Sequence, residues 1–278
     1  MIRLGEIQTL IIVKKVEFGV YLSDGSSEES RVLLPQKQVP AQAKVGDEIE
    51  VFVYRDSKDR LIATIHTPKL TLHGVARVRV AQVAKVGAFL DWGLEKDLLL
   101  PYKEQTRRVS EGEECLVALY IDKSDRLCAT MNVYPYLSAD SPYKTEDRVS
   151  GTVYEISNNF GAFVAVDDKY SGLIPKKEMY GNITIGDVVQ ARVTGVKEDG
   201  KLNLSIREKA YRQMDTDAQK VMEIIDSFDG VLPFTDKASP EVIKRETQMS
   251  KNEFKRAVGR LLKEGKIQIT ERAIRAVK

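Results

Sequence analysis

The chain has 278 residues, of which 42% are hydrophobic and 30% are charged, and its formal net charge is +2. The length favours two or more domains, and the composition is typical of soluble globular domains. So small a net charge does not by itself indicate a polyanionic partner, but clustering of basic residues matters more than their sum.

Several common features are not expected from this sequence. Residues 1–19 contain too short an apolar run for a signal peptide, and no stretch approaches the length of a transmembrane helix. Cys115 and Cys128 lie in apolar, strand-like runs, so we expect buried, reduced thiols in a cytoplasmic protein without membrane contact. His66 and His73 have no ligand-like spacing, and neither a zinc site nor another cofactor is indicated.

From residue 1 to about 210, one sequence pattern is repeated three times. Each copy contains a glycine beside an aromatic or apolar residue: VEFGVYL (16–22), KVGAFLD (85–91) and NNFGAFV (158–164). An apolar run ending in proline follows: VLLP (32–35), LLLP (98–101) and GLIP (172–175). A Gly-acid pair then opens a fourth segment, and the copies close with DRLIATI, DRLCATM and GKLNLSI. These landmarks predict three related domains, at 1–67, 68–138 and 145–210.

Each copy has about five short runs rich in Val and Ile, divided by turn signals, which is typical of a small closed β-barrel. In VVQARVTGV (188–196), polar and apolar residues alternate, so one set faces the barrel interior and the other faces water. On a regular strand Phe160 and Phe163 would point to opposite faces. A kink or bulge at Gly161 would bring both rings to one side, either as core or as a platform for nucleobases.

The third copy resembles the S1 RNA-binding domain in its segments FGAFV, GLIP, GDVVQARVTGV and GKLNLSI, and the first two copies keep the same landmarks. The resemblance implies three tandem five-stranded barrels of the OB type. It also implies that one face of a barrel binds single-stranded RNA. The family's contacts are two aromatics around the glycine, a histidine after the third strand, and an acid and a base near the fourth turn.

Those contacts carry over unequally to the three copies. The aromatics correspond to Phe18 and Tyr21, to Phe89 alone, and to Phe160 and Phe163, with Val86 at the vacant position of the second copy. The base corresponds to Arg60, Arg126 and Lys201, and the acid to Asp56 and Asp122, with Lys197 at the acid's position in the third copy. Proline replaces the histidine throughout, at Pro35, Pro101 and Pro175.

This resemblance implies stacking of bases on the aromatics, at about 1–3 kcal/mol per base, beside cations that neutralise phosphates. We expect binding by the first and third copies, and a mainly structural second copy. The alternatives are that the phenylalanines are core residues, and that Arg60 and Arg126 are solvated turn residues paired with the adjacent Asp59 and Asp125. The prolines are expected to terminate strands.

After Ala210 the apolar period becomes helical, and residues 212–278 form a separate predicted domain. A first helix is expected to bury Ala218, Val221, Met222, Ile224, Ile225 and Phe228. Ser239 is a plausible N-cap followed by Pro240, and Ser250 with Glu253 has the spacing of a capping box. The helix after Ser250 is expected to bury Phe254, Val258, Leu261 and Leu262 and to end at Gly265. Two short strands, in KIQIT and AIRAV, follow.

This order of elements resembles a winged-helix domain with residues 250–264 in the position of the recognition helix. Residues 212–278 carry 14 basic and 11 acidic side chains, whereas the remainder carries 29 and 30. The candidate phosphate-binding residues are Lys251, Lys255, Arg256, Arg260, Lys263 and Arg272. The alternative is that they are only the solvated face of an amphipathic helix.

Divergent tandem S1 units followed by a winged helix resemble the conserved virulence factor B family. The resemblance implies a cytoplasmic RNA-binding protein that influences bacterial gene expression post-transcriptionally. The alternatives are a DNA-binding transcriptional regulator that uses the winged helix, and a protein–protein scaffold on the ribosome or polymerase. No catalytic triad or GxxxxGK[ST] loop is present, so we do not expect an enzyme.

Overall fold

The computed structural model describes residues 1–26, 30–179, 182–206 and 210–277, without the side chains of 210–216. The chain forms two compact units, residues 1–206 and 207–278. The first unit contains three five-stranded sheets, and the second contains three helices and a small sheet, which confirms the predicted fold class. None of the helices within those ranges combines the length and apolar character needed to cross a membrane.

The first barrel is closed, with strand order β1-β2-β3-β5-β4. Its strands are β1 (Ile7–Val16), β2 (Gly19–Ser23), β3 (Arg31–Pro35), β4 (Glu48–Arg55) and β5 (Leu61–Thr64). Alternate residues point inward, so that Leu10, Ile12, Val20 and Leu22 are among the fully buried core residues. A parallel pairing of Leu33 with Ile62 closes the barrel.

The third barrel repeats this arrangement in the order β11-β12-β13-β15-β14. Its strands are β11 (Arg148–Ser157), β12 (Gly161–Val166), β13 (Tyr170–Pro175), β14 (Val188–Val196) and β15 (Leu202–Ser205). In β14, Ala191 and Val193 are buried while Gln190 and Thr194 are exposed, which confirms the predicted alternation.

The second sheet differs in one respect: in its order β10-β9-β6-β7-β8, the end strands are not joined by hydrogen-bonded pairs. Its strands are β6 (Val75–Ala84), β7 (Gly87–Asp91), β8 (Leu98–Pro101), β9 (Glu114–Ile121) and β10 (Leu127–Thr130). Although β8 and β10 lie wholly within the described ranges, they form no ladder. The two strands nevertheless lie next to each other, so the second sheet is barrel-like as well.

The barrels pack on one another through apolar side chains. Phe52 and Tyr54 of the first barrel belong to the same buried cluster as the core of the second, and the ring of Phe52 meets that of Trp92 edge-on at 5.6 Å. A separate cluster joins Leu116 of the second barrel to Tyr154 of the third. Residues 1–206 are therefore held together by continuous cores, rather than arranged as beads on a flexible linker.

The second unit contains the predicted helices. They are α1 (Ala210–Ser227), α2 (Pro240–Thr247) and α3 (Lys251–Lys263). Ser239 caps α2 and the Ser250–Glu253 capping box opens α3, both as predicted. Gly265, with a φ of +70°, follows α3 in the left-handed conformation, and the N–H of Lys266 donates to the carbonyl of Leu261.

Three details of this unit differ from the sequence predictions. Leu262 is exposed rather than buried, because it lies seven residues after Lys255 on the solvent side of α3, and Ala257 is buried instead. Phe228 lies just beyond the end of α1 and is partly exposed. Besides the two predicted strands, β17 (Ile267–Ile269) and β18 (Ile274–Ala276), the sheet contains a third strand that was not predicted, β16 (Val231–Leu232). β18 pairs with both β16 and β17.

Candidate nucleic-acid interface

The two phenylalanines around Gly161 lie side by side, as predicted. Phe160 lies in the turn before β12 and Phe163 lies on β12, with ring centroids 6.5 Å apart and planes inclined by 62°. Gly161 has a φ of +120°, and a Cβ there would lie 2.1 Å from the carbonyl oxygen of Ile174, so only glycine fits. The bulge lies elsewhere, at Tyr154 of β11, where the register shifts between Val153 and Glu155.

The two rings differ in exposure. Phe160 is 64% exposed, which excludes the core interpretation for this residue. Phe163 is half-buried and packs against the cluster between the second and third barrels, with its ring 6.2 Å from that of Tyr154. The pair therefore presents one open ring that a base can reach and one ring that is held in place from behind.

The first barrel presents a similar pair. Phe18 is 58% exposed, Tyr21 is half-buried, and the rings meet edge-on at 6.4 Å. The guanidinium of Arg31 lies 4.9 Å from the centroid of the Tyr21 ring, a cation–π contact. Arg31 was not predicted as a site residue, although strand alternation places it on the same face as Leu33 and opposite Ser23, beside Tyr21.

The second barrel lacks an aromatic pair. Val86 occupies the first position and is 59% exposed, while Phe89 is half-buried. Phe89 and Arg126 line a common cleft against the first barrel. The structure therefore brings these two sequence candidates together in a place that the repeat pattern alone did not indicate.

The arginines of the fourth turns are exposed, but their acidic partners differ from those named in the alternative interpretation. Arg60 pairs with Asp56 at 2.7 Å rather than with the adjacent Asp59, because Asp56 and Arg60 face each other across the hairpin turn. Arg126 pairs at 2.6 Å with Asp59 of the first barrel rather than with Asp125, since the two barrels bring these turns together.

The two acids near the fourth turns have a structural role. An oxygen of Asp56 accepts the backbone N–H of Arg60, and an oxygen of Asp122 accepts that of Arg126, each at 3.0 Å. These contacts fix the hairpins on which the arginines lie.

In the third barrel, Lys201 forms an ion pair with Asp199 at 2.8 Å, and its ammonium lies 5.7 Å from the ring centroid of Tyr134. The hydrogen bond that Lys201 donates to Asp199, and after it the hydrogen bond with Tyr134, raise the pKa of Lys201. Lys197 is exposed on the same hairpin, where its N–H donates to the carbonyl of Lys201. Tyr134, an exposed residue of the segment after β10, was missed because nothing local relates it to this hairpin.

The basic residues of the second unit are mostly accessible. Lys255, Arg256 and Lys263 are exposed on α3, and Lys251 is partly exposed at its start. Arg260 is partly covered and pairs with Glu264 at 2.8 Å. Arg272 is exposed in the loop between β17 and β18. Their arrangement is a basic, solvent-facing side of α3 with one arginine already engaged by an acid.

Known protein families match the three barrels and the C-terminal unit. The S1 domain family matches residues 4–66 and 75–132, the family "Virulence regulatory factor CvfB, second domain" matches residues 137–208, and the family "CvfB-like winged helix domain" matches residues 219–275. The first two barrels thus match the general S1 family, whereas the third matches a family-specific domain.

Full-length relatives agree with these matches. YitL of Bacillus subtilis is 32% identical over 95% of this chain and 91% of its own length. Conserved virulence factor B of Staphylococcus epidermidis is 30% identical over 96% of this chain and 95% of its own length. A multidomain protein with nucleic acid binding domains from Streptococcus pneumoniae has a crystal structure that covers 99% of this chain, with 26% identity and a TM-score of 0.50. The chain belongs to the conserved virulence factor B family.

Proposed function

We propose that this protein is a non-catalytic regulator that binds single-stranded RNA in the cytoplasm and controls gene expression post-transcriptionally. The observation that carries the proposal is the exposed aromatic pair repeated on two S1-like barrels, Phe18 with Tyr21 and Phe160 with Phe163. Rings that are open to solvent beside cations stack bases of any sequence, since every base has a π-face. The nucleic acid binding domains named for the S. pneumoniae relative are consistent with this function.

The basic side of α3, defined by Lys251, Lys255, Arg256 and Lys263, is a second proposed RNA-binding surface. Cations of this kind contact phosphates without discriminating sequence, and they make binding weaker at high salt. The same exposure favours a second candidate function, namely binding of duplex DNA through α3, as in a transcriptional regulator. The two functions differ in the ligand that they require. Stacking on the barrel aromatics needs unpaired bases, whereas α3 can contact the phosphates of a duplex.

Fluorescence anisotropy with single-stranded RNA, duplex RNA and duplex DNA at two salt concentrations separates the candidates. We expect preference for the single strand, weakened by the double variant Phe18→Ala, Phe160→Ala, whose side chains are exposed and whose removal leaves the fold intact. The matched variant Lys255→Gln, Arg256→Gln should weaken all three ligands in parallel. Preference for duplex DNA that only the α3 variant abolishes would instead establish the second candidate. A folded protein that binds none of the three would favour a protein–protein scaffold.

A further inference from the structure

The outer face of the third barrel has an open position near its aromatic pair. Phe163 of β12 pairs across the sheet with Leu173 of β13, and Leu173 pairs with Asn203 of β15. Paired residues point to the same face of a sheet, and all three side chains are partly exposed between buried neighbours. Asn203 also pairs with Gly195 of β14, which has no side chain. This row of residues therefore leads from Phe163 to an open space over Gly195.

The backbone does not require glycine at this position. Gly195 has a negative φ, so residues with a side chain can adopt its conformation. Beyond the adjacent residues, the atom nearest to a Cβ at Gly195 would be the amide nitrogen of Asn203, at 4.0 Å, an ordinary contact distance. The hydroxyl of Thr194 donates to the backbone carbonyl of Asn203 at 3.2 Å, and not to its side chain. The side-chain amide of Asn203 therefore borders the space that Gly195 leaves open.

The other two barrels fill the corresponding position with a tyrosine. In the first barrel the equivalent pair is Tyr54 with Ile62, and Tyr54 belongs to the buried cluster that forms the core of the second barrel. In the second barrel the pair is Tyr120 with Cys128, and Cys128 is 3% exposed. Of these three described pairs, only that of the third barrel combines a glycine with an accessible amide.

An amide at this position can distinguish one base from another, which stacking on an aromatic ring does not do. The side chain of Asn203 offers a donor and an acceptor side by side, and an asparagine amide bonds adenine at both N6 and N7. Adenine also presents N6 beside the acceptor N1 on its Watson–Crick edge, and an unpaired base exposes both edges. The contacts implied by the S1 resemblance are the aromatics, the histidine, the acid and the base of each copy, and neither Asn203 nor Gly195 is among them.

We propose that the third barrel recognises one adenine of the RNA strand, with the ring over Leu173 and Gly195 and the amide of Asn203 bonded to its N6 edge. The inference rests on the proposed function and deepens it, because it adds a base preference to a surface whose aromatic rings accept any base. The first barrel has Tyr54 and Ile62 at the equivalent position, so we expect it to bind RNA without this preference.

Anisotropy titrations with oligouridylate strands that carry one central adenine, cytosine or guanine, beside the unmodified strand, test this preference. The intact protein should bind the strand with adenine about 5- to 150-fold more tightly than the unmodified strand, the discrimination expected of one bidentate contact. Asn203→Leu has a similar volume but no amide, so it should abolish the preference and leave affinity for the unmodified strand unchanged. Gln190→Leu is the matched control, since it removes an exposed amide of β14 that bonds Ser150 at 3.0 Å. This control should keep the preference.

Gly195→Tyr tests the open space separately from the amide. It introduces the residue of the other two barrels and should abolish the preference for adenine by covering the position, whereas Gly195→Ala should retain it. Circular dichroism checks that both variants fold, and Asn203→Leu still decides if Gly195→Tyr does not. Equal affinity for all strands, preference for another base, or an adenine preference that Asn203→Leu leaves intact would overturn the inference while the proposed function stands.

A second measurement observes the amide itself. In nitrogen-15 NMR spectra, the side-chain signals of Asn203 are those missing from Asn203→Leu, and adenosine monophosphate should shift them saturably whereas uridine monophosphate should not. If the intact protein binds no strand in the anisotropy experiment, the proposed function falls and this titration decides the adenine site alone. A saturable shift specific to the adenine nucleotide would keep the site, and no shift would overturn it.

Discussion

The first and third barrels carry the same aromatic pair at almost the same separation, 6.4 and 6.5 Å, but different groups lie behind the second ring. In the third barrel, Phe163 packs against Tyr154 and against the apolar cluster between the second and third barrels. In the first barrel Tyr21 has the guanidinium of Arg31 beside it. The third barrel therefore offers a rigid apolar platform, and the first offers a platform with a built-in cation.

The two barrels also differ at the bulge in the first strand of each. Both barrels have a bulge in their first strand, at Val13 in β1 and at Tyr154 in β11. Val13 is partly exposed, whereas Tyr154 is buried between barrels. The bulge is the same backbone feature in both barrels, but its extra side chain faces solvent in the first barrel and packs between barrels in the third. One motif thus gives two surfaces with different expected responses to mutation and salt.

The largest expected effect is on stability. Tyr154→Ala removes a buried ring from the cluster between the second and third barrels and should lower the free energy of unfolding by about 3 kcal/mol. Val13→Ala at the matching bulge should stay within about 0.5 kcal/mol of the parent. Urea unfolding followed by circular dichroism measures both, with Tyr154→Phe as the variant that retains the ring. If Tyr154→Ala and Val13→Ala lowered the free energy of unfolding equally, the proposed difference between the two bulges would be wrong.

The next effect is on binding. Phe160→Ala and Phe18→Ala each remove one exposed ring and should each weaken single-stranded RNA binding by about 1–3 kcal/mol, without loss of stability. Val86→Ala, at the same position of the second barrel and similarly exposed, should leave affinity unchanged. Anisotropy titrations measure the three in parallel. A loss for Val86→Ala as large as for Phe160→Ala would show that the position acts through the backbone and not through stacking.

The fold was largely predictable from the sequence because its signals are local. Alternation of polar and apolar residues predicted the strands, and the capping residues Ser239, Ser250 and Glu253 predicted where α2 and α3 begin. Leu262 was placed on the wrong side of α3, since an apolar residue next to a buried stripe has no local sign of its exposure. The missing ladder between β8 and β10 was also not predicted, because it depends on how the two strands meet in space.

The candidate site was predictable only in its local part. The glycine between Phe160 and Phe163 signals that both rings share a face, because the backbone geometry is encoded within four residues. The pairing of Arg126 with Asp59 joins two repeats and follows from barrel packing, which no single repeat encodes. The same holds for Tyr134 beside Lys201.

A smaller effect is expected on the salt dependence of RNA binding. Arg31→Gln should reduce the slope of log affinity against log salt by about 1, because a cation stacked on Tyr21 can also neutralise one phosphate. Arg108→Gln is the matched control, since Arg108 lies 4.3 Å over the Tyr102 ring, away from either aromatic pair. Titrations at four salt concentrations give the slopes. An unchanged slope for Arg31→Gln would mean that this cation only supports the Tyr21 ring.

The smallest expected effect comes from Lys201, the cation at the fourth turn of the third barrel. Lys201 is already bonded to Asp199, and the hydrogen bond with this lysine lowers the pKa of Asp199, so the pair stays charged and self-neutralised at neutral pH. Lys201→Gln should therefore change the salt slope by less than Arg31→Gln does. Asp199→Asn should raise the slope, because it releases Lys201 towards phosphate. If Lys201→Gln and Arg31→Gln reduce the slope equally, the two platforms bind phosphate alike, and only their rigidity distinguishes them.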